Sequence, residues 1–477
     1  MRISIIAILV FLGSAIVHYI SLAQSGFANG WDGYYYVMQA HSFIEYGYLQ
    51  SKDYSLIYPY YIFLSFIIQD YVLAFQLGTA LLSAAFSVSI FYIIYYSFQK
   101  DLGLASLGAI LTVISPGIIF YVSQFPKNLL GIIFLSWLLS FIYKRKLGKM
   151  LLMTILCFLT HRLSAGLAIM AMAVYFMHDI NWKWLVIGFV GLVALTFLPG
   201  ILHISDLARF EDAFSADMQF MPLEFLQSGI TGGNIMWSIE VWLIVAMLLI
   251  YLISIGNHFV KRKELGIIKP FFVILIAMII MPFFTFSIGS MGYRFFLLAF
   301  FGYPILAVYL VKNFPSKSVF GIGLGLILLV PFSIQAYNPA LHDAPNSLYF
   351  MIADEIEEHY DEQRYPLIIV HKSLAEVIIY HTDFDALNWA PEIEKQKDSI
   401  ARVIHGIPQR YLKEYTEELE SGNYLRINHQ YAVISESSWI KMLVKANAEQ
   451  DQRLLELIED GNNPMQVRPE FIKKGKE

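Results

Sequence analysis

The chain has 477 residues, 57% hydrophobic, 16% aromatic and only 15% charged, against about 25% charged in an ordinary soluble domain. That composition excludes a disordered, collagen-like or simple soluble chain and points to a polytopic membrane protein with a soluble appendage. The net charge of −5 is unevenly spread, with 18 Lys/Arg against 13 Asp/Glu in residues 1–336 and 15 against 25 in residues 337–477. The soluble segment is the acidic one, so no nucleic acid is expected among the partners.

A spanning helix needs roughly 20 mostly apolar residues. Runs that meet or approach this length are 4–23, 71–97, 103–122, 128–143, 149–160, 163–177, 184–200, 233–256, 269–287, 294–311 and 318–336. The first follows Arg2 and has a signal-peptide look. It is long for an h-region and lacks a small-x-small cleavage site, so it reads as an uncleaved first helix. Tyr54–Ile68 is apolar enough for a short span, and 149–177 is either one helix or two separated by His161-Arg162. The single cysteine, Cys157, lies in this apolar stretch, which leaves no intrachain disulfide or cysteine zinc cluster. Past Tyr337 the apolar runs stop, and Asn338-Pro339 and Asp343-Ala-Pro345 mark a linker. Tyr365-Pro-Leu-Ile-Ile-Val370 followed by Ser373–His381 reads as a strand and an amphipathic helix.

Charge decides the ambiguous cases, because cytoplasmic loops carry an excess of Lys and Arg. With the N-terminus inside, 149–160 and 163–177 as separate passes and 54–68 in the interface, thirteen basic residues fall on the cytoplasmic side, including Lys144–Lys146 and Lys261–Lys263. Merging 149–177, or counting 54–68 as a span, would put one of those clusters outside. The expected fold is therefore an all-α polytopic membrane domain of eleven passes, 1–336, with a first outer loop at 24–70. A small extracytoplasmic α/β domain, 337–477, follows it. The expected location is a plasma (inner) membrane, with the N-terminus cytoplasmic.

This topology collects an unusual set of polar residues on the outer face. The first outer loop reads Trp31-Asp-Gly-Tyr-Tyr-Tyr36, then Lys52-Asp53 and Tyr58-Pro-Tyr-Tyr61. After it come Ser123-Gln-Phe-Pro-Lys-Asn128, Thr160-His-Arg162, the loop 201–232 and Ser290-Met-Gly-Tyr-Arg294. Each hairpin puts a cation at or near membrane depth, where charge is costly and usually marks a site. Each residue also has a structural reading. Asp32 suits a helix N-cap, and Lys127, Arg162 and Arg294 suit snorkelling helix ends. His161 suits a hydrogen-bonded helix terminus, the tyrosines an aromatic belt, and Asp53 a loop ion pair with Lys52. Asp206, Glu211, Asp212 and Asp217 read as a solvated acidic loop. Jointly, the cations suit a lipid phosphate headgroup, because Arg grips phosphate oxygens in a fork and Lys adds a point charge. A nearby carboxylate suits deprotonation of an acceptor hydroxyl.

The segment Asp32-Gly-Tyr-Tyr-Tyr-Val-Met-Gln-Ala40, closed by Glu45-Tyr-Gly47 and followed by Tyr58-Pro-Tyr-Tyr-Ile-Phe63, resembles the first outer loop of GT-C glycosyltransferases. The likeness is to the dolichyl-phosphate-mannose protein mannosyltransferase family and its bacterial relatives, including aminoarabinose transferases. It continues through Ser115-Pro116 and the short pair 149–160 and 163–177, and spans about residues 1–310, with hydropathy order carrying much of it. The resemblance implies transfer of a sugar from a polyprenyl-phosphate donor on the outer face. Asp32 matches the catalytic base, and Arg294, Lys127 and Arg162 are the donor-phosphate candidates. Tyr34, Tyr35, Asp53, His161 and Tyr293 are substrate-binding candidates beside them. Direct displacement would invert the anomeric centre. Gly33 stands where an acidic residue often follows the first Asp, which weakens a metal-bridged pair, so a divalent metal is left open and no cofactor is assigned. No Trp-Trp-Asp-Tyr-Gly motif is present, which argues against en-bloc oligosaccharide transfer.

The expected partners are a polyprenyl-phosphate sugar, a glycan, lipid or protein acceptor, and membrane lipids. A polymerase or ligase using a diphosphate-linked glycan is the nearest alternative. A lipid-linked glycan flippase or transporter would show repeated halves, and none is visible. A simple anchor would not need eleven passes. In the C-terminal segment, His371, His381, Asp383, Asp385 and His405 offer a weak metal pattern that scattered surface residues explain as well.

Overall fold

The computed structural model describes residues 2–28, 30, 32–50, 55–176, 238–247, 249, 298–313, 340–360, 367–370, 372–387, 400–405, 424–426, 431–435, 438–439, 441 and 444–445. The spans expected at 184–200, 269–287 and 318–336 lie outside the described residues. Two compact units emerge, Met1–Gly30 with Phe43–Leu341, and Trp31–Ser42 with His342–Glu477.

In the first unit α1 (Arg2–Leu22) is followed by α3 (Ile57–Ile68), α4 (Tyr71–Ser97), α5 (Leu102–Ile114), α6 (Pro116–Gln124), α7 (Pro126–Tyr143), α8 (Leu147–Thr160) and α9 (Arg162–Phe176). Two later helices complete the described part, α10 (Ser238–Met247) and α11 (Ala299–Asn313). The helix α2 (Gly33–Tyr46) lies between α1 and α3 in the chain. Among the described residues α1, α4 and α7 are long and apolar enough to cross a membrane, and α5 with α6 forms a pair bent by 61° that passes the same test together. The outward face of α1 is a stripe of exposed Ile5, Ile8, Leu9, Leu12, Ile16 and Ile20. In a polytopic chain such a stripe faces lipid. The chain is an integral membrane protein on these grounds.

Helix α4 is central and packs against α1, α3, α5 and α7. It runs antiparallel to α1. Ser14 and Ser87 share a hydroxyl–hydroxyl hydrogen bond of 2.9 Å, and the Gln76 amide donates to the Ser25 and Phe27 carbonyls at 3.1 and 3.0 Å. Asp70 and Asp101 cap α4 and α5, accepting from the Leu73 and Leu104 amides. Both have the short acceptor that an N-cap requires. Helix α3 has only twelve residues, a rise of roughly 18 Å, short of the roughly 30 Å hydrocarbon core. Its Tyr60 and Tyr61 hydroxyls bond to Gly78 and Thr79 of α4 at 2.8 and 2.7 Å. Its other face exposes Phe63, Phe66 and Ile67.

The apolar run at 103–122 is not a straight helix. It breaks at Ser115, whose backbone is extended and whose hydroxyl caps α6 by accepting from the Ile118 amide at 3.0 Å. Pro116 starts the new helix, where its missing N–H costs nothing.

The second unit holds α12 (Ala340–His359) and α13 (Lys372–His381) with β1 (Leu367–Ile369), β2 (Asp385–Leu387), β3 (Ile400–His405), β4 (Tyr424–Arg426) and β5 (Tyr431–Ser435). The five strands form one mixed sheet in the order β2-β1-β3-β5-β4. Strand β1 is parallel to β2 and β3, and β5 is antiparallel to β3 and β4. Helix α13 makes the crossover that a parallel β1–β2 pair requires. Residues 31–42 pack with this unit through Tyr34, whose ring lies 5.2 Å from Phe350 and 5.7 Å from Tyr380, and through His41, 5.6 Å from Tyr380.

Candidate functional site

In the first unit the described cationic candidates sit on two helix starts. Phe125 ends α6, and Pro126 opens α7 with Lys127 as its second residue. Lys127 is half-buried, and Asn128 beside it is buried. The second start is the α8–α9 turn. His161 is extended, donates its N–H to the Cys157 carbonyl at 3.0 Å and offers its own carbonyl to the Ala165 amide at 3.0 Å. It therefore closes α8 and opens α9 at once. Arg162, the first residue of α9, is exposed.

These two starts meet. Gly131 lies one turn into α7, and a Cβ there would run into the Ser164 hydroxyl of α9 and come within 3.3 Å of the His161 Cβ. The Ser164 hydroxyl is held by the His161 carbonyl at 2.7 Å. The second turn of α7 thus meets the first turn of α9, and each helix carries a cation in its first turn. Neither first turn contains an acidic residue. A helix N-terminus is already the positive end of the dipole, with unpaired N–H groups directed outward. Two such ends with Lys127, Arg162 and His161 make a surface suited to an anion.

Two further contacts tie the segment between α1 and α3 to this place. Ser55 donates its hydroxyl to the Thr160 carbonyl at 2.8 Å, and the Leu56 amide reaches the Leu159 carbonyl at 3.1 Å. Gly30 has φ +106°, and a Cβ there would collide with the Ser123 carbonyl oxygen at the end of α6. Only glycine combines that conformation with that approach.

Asp32 belongs to the second unit. It is half-buried at the N-cap position of α2, with its carbonyl accepting from the Tyr36 amide at 3.3 Å. Tyr34 is buried among Phe350 and Tyr380, and Tyr35 is half-buried with its ring edge-on to Tyr36 at 5.5 Å. Arg294, Tyr293 and Asp53 lie outside the described residues, as does His371. The His381 imidazole N–H donates to the Asp354 carboxylate of α12 at 2.7 Å. Among the described residues no group of three or more His, Cys, Asp or Glu gathers as a metal site.

One residue escaped the sequence reading. Glu240 of α10 is buried, with its carboxylate bonded to the Ser115 hydroxyl and to the Gly117 amide at 2.8 Å. The signal was available, because Glu240 is the only Asp or Glu inside any of the apolar runs, and an intramembrane carboxylate is a site hypothesis by default.

No family model matches the chain, and no curated protein matches it. Among solved structures it is similar to ArnT from Cupriavidus metallidurans in the apo state, at 12% sequence identity and a TM-score of 0.47, over 90% of this chain and 97% of that one.

Proposed function

We propose that the chain is a membrane glycosyltransferase of the GT-C kind. It takes a sugar from a polyprenyl-phosphate donor and places it on an acceptor hydroxyl at the outer face of a plasma (inner) membrane. The observation that carries this reading is the meeting of two helix starts bearing Lys127 and Arg162. The Asp32-Gly-Tyr-Tyr-Tyr36 segment and its family resemblance support it from the sequence.

In this mechanism Asp32 takes the proton of the acceptor hydroxyl. The freed oxygen attacks the anomeric carbon as the bond to the phosphate oxygen breaks, so the centre inverts. Polyprenyl phosphate leaves with the bonding electron pair, and its charge is met by Lys127, Arg162 and Arg294. Such preset cations act where charge develops and are commonly the largest catalytic contribution. His161 and Tyr35 would contact the sugar or the phosphate, with Asp53 and Tyr293 as further candidates.

The test is lipid mass spectrometry on membranes carrying either the parent or Asp32→Asn. The parent should deplete one polyprenyl-monophosphate sugar, and the variant should let it accumulate. A lost general base typically costs 10²–10⁴-fold in rate, so transfer by the variant should fall by at least about 100-fold. Equal lipid-linked sugar pools in both membranes would remove Asp32 as the base. A product with retained configuration would remove direct displacement.

A further inference from the structure

Glu240 lies where the membrane domain departs furthest from regular helix. Between α5 and α6 the chain leaves the helix at Ser115, and Pro116 has no N–H to offer the carbonyl four residues earlier. Irregular backbone at membrane depth survives only where protein groups satisfy it, and here the partners come from α10 and α11. The Glu240 carboxylate accepts from the Ser115 hydroxyl and from the Gly117 amide at 2.8 Å. Beside it, the buried Tyr303 hydroxyl of α11 donates to the Leu111 carbonyl in the last turn of α5 at 3.1 Å. Gly117 leaves room for this arrangement, since a Cβ there would enter the Phe300 ring. The α10 carboxylate thus holds Ser115 at the break and the start of α6, while α11 holds the last turn of α5.

Helix α6 has only nine residues, and it leads straight into Phe125-Pro126-Lys127. Its angle at the break sets where the α7 start, and with it Lys127, is presented. We propose that Glu240 is a positioning residue: by clamping the α5–α6 break it holds the outer turn that carries Lys127 for phosphate binding. The phosphate role of Lys127 rests on the function proposed above, whereas the clamp does not.

Two measurements on full-length protein in nanodiscs separate these parts. The first is hydrogen–deuterium exchange in Glu240→Gln, with Tyr303→Phe as a milder variant that removes a single donor, and Glu240→Asp as the conservative one. The clamp requires that amides of residues 117–128 exchange at least about tenfold faster in Glu240→Gln while those of α4 are unchanged, with smaller increases in the other two. Unchanged exchange in α6 in all three overturns the proposal. The second is a double-mutant cycle on the affinity for a polyprenyl monophosphate, using Glu240→Gln, Lys127→Ala and the pair. If Glu240 acts through Lys127, each single change weakens binding and the pair is no weaker than Lys127→Ala alone. Additive losses, as a general loosening of the fold would give, overturn the positioning role. If Lys127→Ala binds like the parent, Lys127 is not a phosphate ligand and the functional half falls with it, while the exchange data decide the clamp on their own.

Discussion

Lys127 and Arg162 stand where a helix least favours a cation. Each occupies the first turn of its helix, and no acidic residue shares either turn. A charge of the wrong sign at a helix end costs about 0.3–1 kcal/mol. An anion bound at such a helix start would meet both the cation and the helix dipole. Lys127→Gln should reduce the thermal shift produced by polyprenyl monophosphate. Melting curves with and without the lipid phosphate check this. A variant that is less stable without ligand, with an undiminished shift, would argue for a structural lysine. At this scale the cations and Asp32 stand out in the sequence simply as polar residues against apolar runs. Glu240 was equally visible, but its meaning was not. Its partners Ser115 and Gly117 are separated from it by 125 and 123 residues in sequence, and no local pattern joins them.

The elements that hold these residues depend on close approaches that only small side chains allow. Gly131 sits inside α7 and touches Ser164 of α9 with no room for a methyl group. Alanine is the better helix former by about 1 kcal/mol, yet overpacking a tight contact costs typically 1–3 kcal/mol, so the contact should win. Gly131→Ala is expected to lower the melting temperature in detergent and to weaken phosphate binding. Adding Ser164→Gly, which clears the obstructing hydroxyl, should restore part of both. A Gly131→Ala protein as stable as the parent would mean that α7 and α9 do not approach so closely. The helix order was largely readable from hydropathy, including the division of α8 from α9 at His161, because the polar pair His161-Arg162 interrupts the run. The α5–α6 bend was hidden within one apolar run, since hydropathy does not register a break whose backbone groups are satisfied by distant side chains. Ser115-Pro116 carried the local signal, as a capping residue followed by the imino acid that opens a helix.

At the scale of the molecule the bend carries a topological question. A pair bent by 61° is either a broken span or a re-entrant hairpin, and the choice reverses the side of every later loop. The basic residues favour the broken span, because a re-entrant pair would export Lys144–Lys146 against the usual excess of Lys and Arg on the cytoplasmic side. The packing of residues 31–42 with the C-terminal unit could not be read from the sequence, since it rests on Tyr34 and His41 meeting Phe350 and Tyr380 more than three hundred residues on. Side-specific labelling resolves the topology. The native thiol of Cys157 is buried and can be replaced by serine to give a silent background. Lys146 and Lys441 are both exposed, and on the eleven-pass reading an odd number of passes separates them. Lys441→Cys should then react with a membrane-impermeant maleimide on intact cells, and Lys146→Cys only after permeabilisation. Lys146→Cys labelled from outside and Lys441→Cys only after permeabilisation would mean that α5 and α6 return to the side they entered from, which would move the Lys127 turn to the cytoplasmic face and away from any outer-face donor. Labelling of both from outside would mean an even number of passes between them. The acidic C-terminal unit would stay at the outer face, but the Lys127 and Arg162 turns would lose their assigned side.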